Sequence, residues 1–377
     1  MFVESYISTA TKIFYEYSLQ QPLAIYLKKY FKSNHKFGSR DRKYIAELVY
    51  GIYRLGNQQS HLTVRERLLA GGFLSGSLPV VFFEKTDKLL ADNHHLPFAE
   101  KRKLAEDTFK IIFQIPYKLT ADISEEEYIE YLFQPSKVFI RIKKNKEKIF
   151  EKLNQKEISF AIVSDTCISL PLNTKVQEIL PDADEYVIQD YASQMAGDFF
   201  SPANEESWWD CCAASGGKSL LILDKNAKID LTVSDIRASI IENLHERFRQ
   251  YHYRKYKSFV IDVSKKIKQD FLYDKIIADV PCSGAGTWSR SPEQLYFFDD
   301  AKMNTFYEQQ KSILHNVITH LKPGGTLYYF TCSIFAKENE EVINTIDNNT
   351  YSIVRQKLLK AFQYGGDCLF FCEIKKK

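Results

Sequence analysis

The chain has 377 residues, of which 45% are hydrophobic and 26% charged, and its formal net charge is +3. That length exceeds one ordinary domain and suits two or three, and the composition is that of a globular protein, not of a disordered or fibrous one. No apolar run nears the roughly 20 residues of a membrane span, the first twenty residues lack a basic-then-apolar leader pattern, and so small a basic excess does not by itself announce a nucleic-acid partner. The expectation is a cytoplasmic protein with no membrane partner.

From Ile7 to about Leu132 the apolar residues recur at helical spacing, as in Ile13, Phe14 and Tyr17, in Leu23, Tyr26, Leu27 and Tyr30, and in Ile45, Leu48, Val49, Ile52 and Tyr53. Ser39 reads as the N-cap of that last helix, with Asp41 in its first turn. Residues 1–132 are therefore expected to be an all-helical domain. Val138–Ile142 then reads as a strand, Lys146–Leu153 as a helix and Phe160–Val163 as another strand. This makes a small α+β domain over 133–186, and Tyr186-Val187-Ile188 opens the last section, 187–377.

In that section short apolar runs alternate with amphipathic stretches of helical length. The runs are Trp208–Cys212, Leu231–Val233, Phe259–Ile261, Lys275–Ala278 and Thr326–Phe330, with helices such as Ala238–Tyr251 and Thr305–Leu321 between them. Alternation of this kind gives a parallel, doubly wound α/β sheet. Local basic clusters stand at Arg40–Lys43, Arg141–Lys146 and Arg247–Lys257. Such a cluster is ordinarily a solvated face, and three together lean only modestly toward a polyanionic partner.

The first strand–helix junction reads Asp210-Cys211-Cys212-Ala213-Ala214-Ser215-Gly216-Gly217-Lys218. Small residues and two glycines after a strand let backbone approach a ligand, and the following helix start favours an anion. The glycine spacing fits neither a P-loop nor the dinucleotide fingerprint. Asp235, Asp262 and Asp279 follow the next three strands, so four acids with Asp210 line the carboxyl edge where open α/β sheets bind ligands. Any one of them could be a helix cap; four in register point to a site. Seven cysteines occur, at 167, 211, 212, 282, 332, 368 and 372, with no Cys-x-x-Cys pair to suggest zinc or a redox dithiol. Two of them, Cys282 and Cys332, stand at neighbouring strand ends over the same crevice. A lone cysteine there is usually packing, whereas a pair suggests a nucleophile.

These residues resemble the RsmB-like, Nop/Sun family of RNA cytosine-5 methyltransferases. The resemblance rests on Cys212-Ala213-Ala214-Ser215-Gly216-Gly217-Lys218, on Asp279-Val280-Pro281-Cys282-Ser283-Gly284, and on Thr331-Cys332-Ser333 with Glu338-Asn339-Glu340 behind it. Val187–Asp190 with Ser193-Gln194, and Gly366–Phe371, extend it across 187–377. A shorter likeness, Arg40-Asp41-Arg42 with Glu47–Gly51, is to the NusB-like helical domain of bacterial members, and the insert at 133–186 is taken as RRM-like. Three positions depart from the family pattern: Ser215 stands for a proline, Ser289 for the first of two arginines and Cys368 for a glycine.

The resemblance implies a Rossmann-like class I methyltransferase that uses S-adenosyl-L-methionine. Cys332 is then the nucleophile, Cys282 assists breakdown of the covalent adduct, and Asp279 binds the polar edge of the base. The loop Cys212, Ala213, Ala214, Ser215, Gly216, Gly217, Lys218 would hold the methionine part, Asp235 the ribose and Asp262 the adenine side, with Asp279 also bordering the cofactor. No metal is expected. The implied partner is RNA, with 16S ribosomal RNA favoured over 23S ribosomal RNA and tRNA, acted on by a monomer. Two readings compete: an RNA-binding assembly factor that keeps the fold without catalysis, and a small-molecule methyltransferase. The first would be marked by loss of a cysteine or of Asp235, and the second by an Asn-Pro-Pro-Tyr-type motif; neither mark is present.

Overall fold

The computed structural model describes residues 2–268 and 271–377, which form two compact units. One takes the chain up to Pro116, then Ser124–Pro135 and Thr287–Asp299; the other takes Tyr117–Ile123, Ser136–Gly286 and Asp300–Lys377.

The first unit is helical, as its periodicity predicts. Its main helices are α1 (Val3–Glu16), α2 (Leu23–Ser33), α3 (Ser39–Arg54), α4 (Val64–Ser75), α5 (Phe98–Phe109) and α6 (Glu125–Phe133). α3 starts one residue earlier than the capping pattern suggests. Gly38 is the cap and Ser39 already helical, because Asp41 reaches back to accept the Gly38 N–H at 3.0 Å and makes a capping hydroxyl unnecessary. Gly51 and Gly71 bring α3 and α4 into backbone contact: a Cβ on Gly71 would lie 2.3 Å from the Gly51 carbonyl carbon. The segment Thr287–Asp299, far away in sequence, packs into this unit. The Leu23 N–H donates to Glu293 at 3.1 Å, Arg54 donates to the Ser289 carbonyl at 3.1 Å, and Tyr296 meets Phe14 and Tyr53 edge-on.

The second unit holds two sheets. The smaller runs β2 (Ala161–Ser164), β3 (Cys167–Pro171), β1 (Lys137–Ile142), β4 (Tyr186–Ile188), antiparallel throughout, with α7 (Lys146–Gln155) closing a core of Ile140, Ile149, Leu153, Ile168 and Leu170. β4, which the pattern reads as opening the last section, pairs with β1 as an edge strand. Most of the basic cluster from Arg141 onward is paired with acids within the fold. Arg141 and Lys143 share Asp224, Lys144 meets Asp184, and Lys148 meets Asp182 and Glu185.

The larger sheet has the order β10-β11-β9-β8-β5-β6-β7, where β5 is Ser207–Asp210, β6 Asp230–Asp235, β7 Lys257–Val260, β8 Tyr273–Asp279, β9 Leu321–Thr331, β10 Tyr351–Lys360 and β11 Cys368–Lys376. β5 to β9 are parallel, connected through helices that include α8 (Gly217–Lys225), α9 (Ala238–Gln250) and α10 (Asp300–Ile318), and β11 lies antiparallel between β9 and β10. Trp208, Leu220, Leu231, Val233, Phe248, Ile277 and Phe330 build the core. The strand order reverses between β5 and β8, which opens a crevice at their carboxyl ends. Residues 117–123 are a strap on this unit. Thr120 N–H donates to the Ile334 carbonyl at 2.8 Å, Ala336 N–H to Lys118 at 2.9 Å, and Leu358 N–H to Asp122 at 2.8 Å. Among the described residues no helix is long and apolar enough to cross a membrane.

Candidate active site

The site lies in the sheet-bearing unit, at the carboxyl ends of β5, β6, β7, β8 and β9. β5 ends in Asp210, fully buried, with one carboxyl oxygen taking the Ser219 hydroxyl at 2.6 Å and the other without a hydrogen-bond partner. Burial lifts this carboxyl to about 7. The chain then turns through Cys212, half-exposed, and Ala213, whose N–H reaches the Ser234 carbonyl at 2.8 Å. Ala214 sits at φ 45° and donates its N–H to Asp235 at 3.1 Å. Ser215 is clamped by Arg247 of α9, which donates to its hydroxyl at 2.9 Å and its carbonyl at 3.2 Å. Gly216, at φ 79°, has no room for a side chain, since a Cβ would stand 2.5 Å from the Phe248 ring. α8 begins at Gly217, so the whole loop is a tight bend over the end of β5.

Lys218 does not follow the loop. Its side chain is sealed from solvent, lies over the Phe330 ring at 4.8 Å and donates to Asp279 at 2.6 Å. Burial opposes its charge, but Asp279 and Cys332 outweigh that opposition and hold the ammonium firmly protonated. Asp279 ends β8, and two residues beyond Val280 the half-buried Cys282 faces Cys332, which follows β9. Pairing with Cys332, then burial, push the Cys282 thiol well above the ordinary cysteine range. Lys218, Asp279, Cys282 and Cys332 thus form one cluster.

Asp235 and Asp262 stand apart from it. Asp235 accepts from Arg237 and from Ala214, and although burial works to raise it, the Arg237 contacts hold it below the usual carboxylate range. Asp262 takes the Ser264 hydroxyl at 2.5 Å and Lys265 at 3.2 Å, and the Ser264 bond is the largest cause of its lowered pKa.

Sequence reasoning named Glu338-Asn339-Glu340 only as part of a resemblance and gave no role to the groups that hold the two thiol loops. Glu338, fully buried, accepts from the Ser283 N–H at 2.7 Å, the Ser283 hydroxyl at 2.5 Å, the Ser333 hydroxyl, and Gln310 at 3.0 Å. Asn339 accepts from the Thr331 hydroxyl at 2.5 Å and donates to the Ser333 carbonyl at 3.0 Å. Glu340 takes the Thr120 hydroxyl. The signal was the Glu-Asn-Glu run itself, three polar residues shortly after a strand end: Glu338 and Asn339 fix the thiol loops, and Glu340 holds the 117–123 strap. Among the described residues no group of three acids, histidines and cysteines could hold a metal.

Residues 198–363 match the model of a family described as 16S rRNA methyltransferase RsmB/F. The ribosomal RNA small subunit methyltransferase B of Cronobacter sakazakii is 32% identical over 167 residues, which cover 43% of this chain and 38% of that protein. Its counterpart in Proteus mirabilis is 30% identical over 206 residues, 53% of this chain and 48% of that one. The chain therefore spans less than half the length of these relatives. Among solved structures, PH0851 superposes with a TM-score of 0.64 at 18% identity, covering 93% of each chain. NSun6 from Pyrococcus horikoshii with SFG gives 0.60 at 13%, covering 67% of this chain and 94% of that one. These likenesses support the fold.

Proposed function

We propose, on the match of residues 198–363 to the RsmB/F methyltransferase family, that this chain methylates carbon 5 of a cytosine in small-subunit ribosomal RNA. The observation that carries the reading is the pairing of Cys282 and Cys332 at adjacent strand ends beside the buried Lys218–Asp279 ion pair.

S-adenosylmethionine would supply an electrophilic methyl group on sulfur. The residues suit it: the bend Cys212–Gly217 lies beside Asp235, whose carboxylate matches a ribose diol, and Asp262 follows the next strand. Carbon 5 of cytosine is a poor nucleophile until a thiolate adds to carbon 6 and makes it enamine-like. Pairing with Cys332 and burial raise the Cys282 thiol. We take Cys332, at the end of β9, as the attacking sulfur, with the Lys218 ammonium nearby to stabilise negative charge as it forms. Asp279 would meet the polar edge of the base as charge develops there. After methyl transfer the proton on carbon 5 must leave and the bond from Cys332 to carbon 6 must break. Cys282, facing that bond, is placed to assist. A paired base cannot present carbon 6 to this crevice, so the target is unpaired or flipped out.

The helical unit we read as the RNA-positioning part. The Arg141 cluster is a weaker candidate for that task, because Arg141, Lys143, Lys144 and Lys148 are already paired with Asp224, Asp184, Asp182 and Glu185. Bisulfite sequencing of total RNA from a strain lacking the gene should show one or a few 5-methylcytosines missing from small-subunit rRNA. An unchanged map would end the proposal, and losses in tRNA or large-subunit RNA would move the substrate.

A further inference from the structure

Asp235 is an acceptor with no vacancy. Its Oδ1 takes the Arg237 backbone N–H at 3.0 Å and the Arg237 Nε at 3.0 Å. Its Oδ2 takes the Ala214 N–H at 3.1 Å and the Arg237 Nη2 at 3.3 Å. A carboxylate offers about four lone-pair positions, and four donors occupy them here. These donors are not equivalent. The two backbone N–H groups belong to the bend after β5 and the turn after β6, and cannot leave without rebuilding the crevice. The guanidinium hangs on a flexible side chain that is 58% exposed, and can leave at little cost.

We propose that Arg237 is a latch on the cofactor crevice, its guanidinium holding the outer edge of Asp235 until the two ribose hydroxyls replace it. This rests on the reading of Asp235 as the ribose acceptor. The exchange is balanced: two N–H donors leave and two O–H donors arrive, while the backbone donors keep the carboxylate aimed. The latch lowers cofactor affinity by the strength of one exposed bidentate pair. It also keeps a largely buried carboxylate paired when no cofactor is bound.

The test is calorimetric titration of S-adenosylmethionine into the full chain and its Arg237→Ala variant, with a thermal melt to verify folding. Arg237→Ala should bind about two- to fivefold more tightly at low salt, the range set by exposed ion pairs. The gap should close as salt rises, because screening loosens the latch only in the unsubstituted protein. Equal or weaker binding by a folded Arg237→Ala variant overturns the latch and makes Arg237 a bystander or a support. If the unsubstituted protein itself fails to bind S-adenosylmethionine, the cofactor reading falls, and the latch with it.

Discussion

Gly286 donates its backbone N–H to the carbonyl of Cys332 at 2.8 Å, so the loop carrying one thiol is stitched to the strand end carrying the other. A Cβ at Gly286 would stand 2.5 Å from the Cys368 sulfur and 2.8 Å and 3.0 Å from two backbone carbonyls. Gly286→Ala must therefore push the two loops apart. We expect a loss of about 1–3 kcal/mol in stability and a larger loss of methyl transfer, read by denaturant melts and by tritium incorporation into RNA. A variant with unaltered turnover would show that the spacing of the two thiols is unimportant.

The thiols themselves should part company on mutation. Cys332→Ala should abolish methylation and leave no covalent protein–RNA species. Cys282→Ala should still attack but release slowly, accumulating an adduct that survives denaturing electrophoresis. The opposite pattern, with the adduct lost from Cys282→Ala and kept by Cys332→Ala, would transfer the nucleophile to Cys282.

Lys218→Met removes the cation from between Asp279 and Cys332. Losing a preorganised donor of this kind costs about 100-fold or more in turnover. The expected signature is a fall in single-turnover rate with S-adenosylmethionine affinity little altered, since the side chain faces Asp279 and not the loop. Should cofactor binding collapse and the rate at saturation survive, Lys218 belongs with the loop after all.

Asp210 makes stability depend on pH in an unusual direction. Its folded-state pKa, about 7, lies above the unfolded value of 3.8, so the native chain keeps a proton that the unfolded chain has lost. Between about pH 4 and pH 7 stability should fall as pH rises, by at most roughly 4 kcal/mol from this group. Asp210→Asn, which can still accept from Ser219, should flatten that fall, so that its advantage over the unsubstituted protein grows toward neutral pH. Urea midpoints at several pH values will show it, and parallel profiles for the two proteins would contradict it.

Deleting the chain up to Pro116 should do more than weaken RNA binding. It strips Glu293 of Leu23, Ser289 of Arg54 and Tyr296 of Phe14 and Tyr53. Trp288 and Glu293, now fully buried, would be left without the helices that cover them. We expect the shortened chain to be cleaved by protease within 287–299, where the whole chain resists. A fragment beginning after Ile123 should fare worse, because it also lacks the strap on Ile334 and Ala336.

Much of the site is legible in the sequence because each chemical group stands at the end of an apolar run. Asp210, Asp235, Asp279 and Cys332 all fall where a strand stops, and strand ends are local features. What escapes is set by distant pairing. Nothing near Ser289 or Glu293 announces partners 235 and 270 residues away. Tyr186-Val187-Ile188 looks like a beginning because its partner, β1, lies some 45 residues back and is joined through intervening structure. β10 is missed because Arg355, Gln356 and Lys357 interrupt its pattern; their side chains are exposed. The Lys218–Asp279 bond was hidden for a different reason: a lysine after two glycines reads as part of the loop, and only packing against Phe330 turns it inward.

The antiparallel β11 carries a consequence for synthesis. β9, which leads into Cys332, has β8 on one side from the moment it emerges, but its other neighbour is β11, Cys368–Lys376. At translation rates of roughly 5–20 residues per second, that edge waits about 2–9 s for its partner. Throughout that interval Leu327, Tyr328, Tyr329 and Phe330, all buried in the finished sheet, border an open row of backbone donors and acceptors that any passing strand could claim. A nascent chain is thus open to mispairing just after Cys332 is made and before its strand is closed, and ribosomal stalling within 333–367 would prolong that exposure.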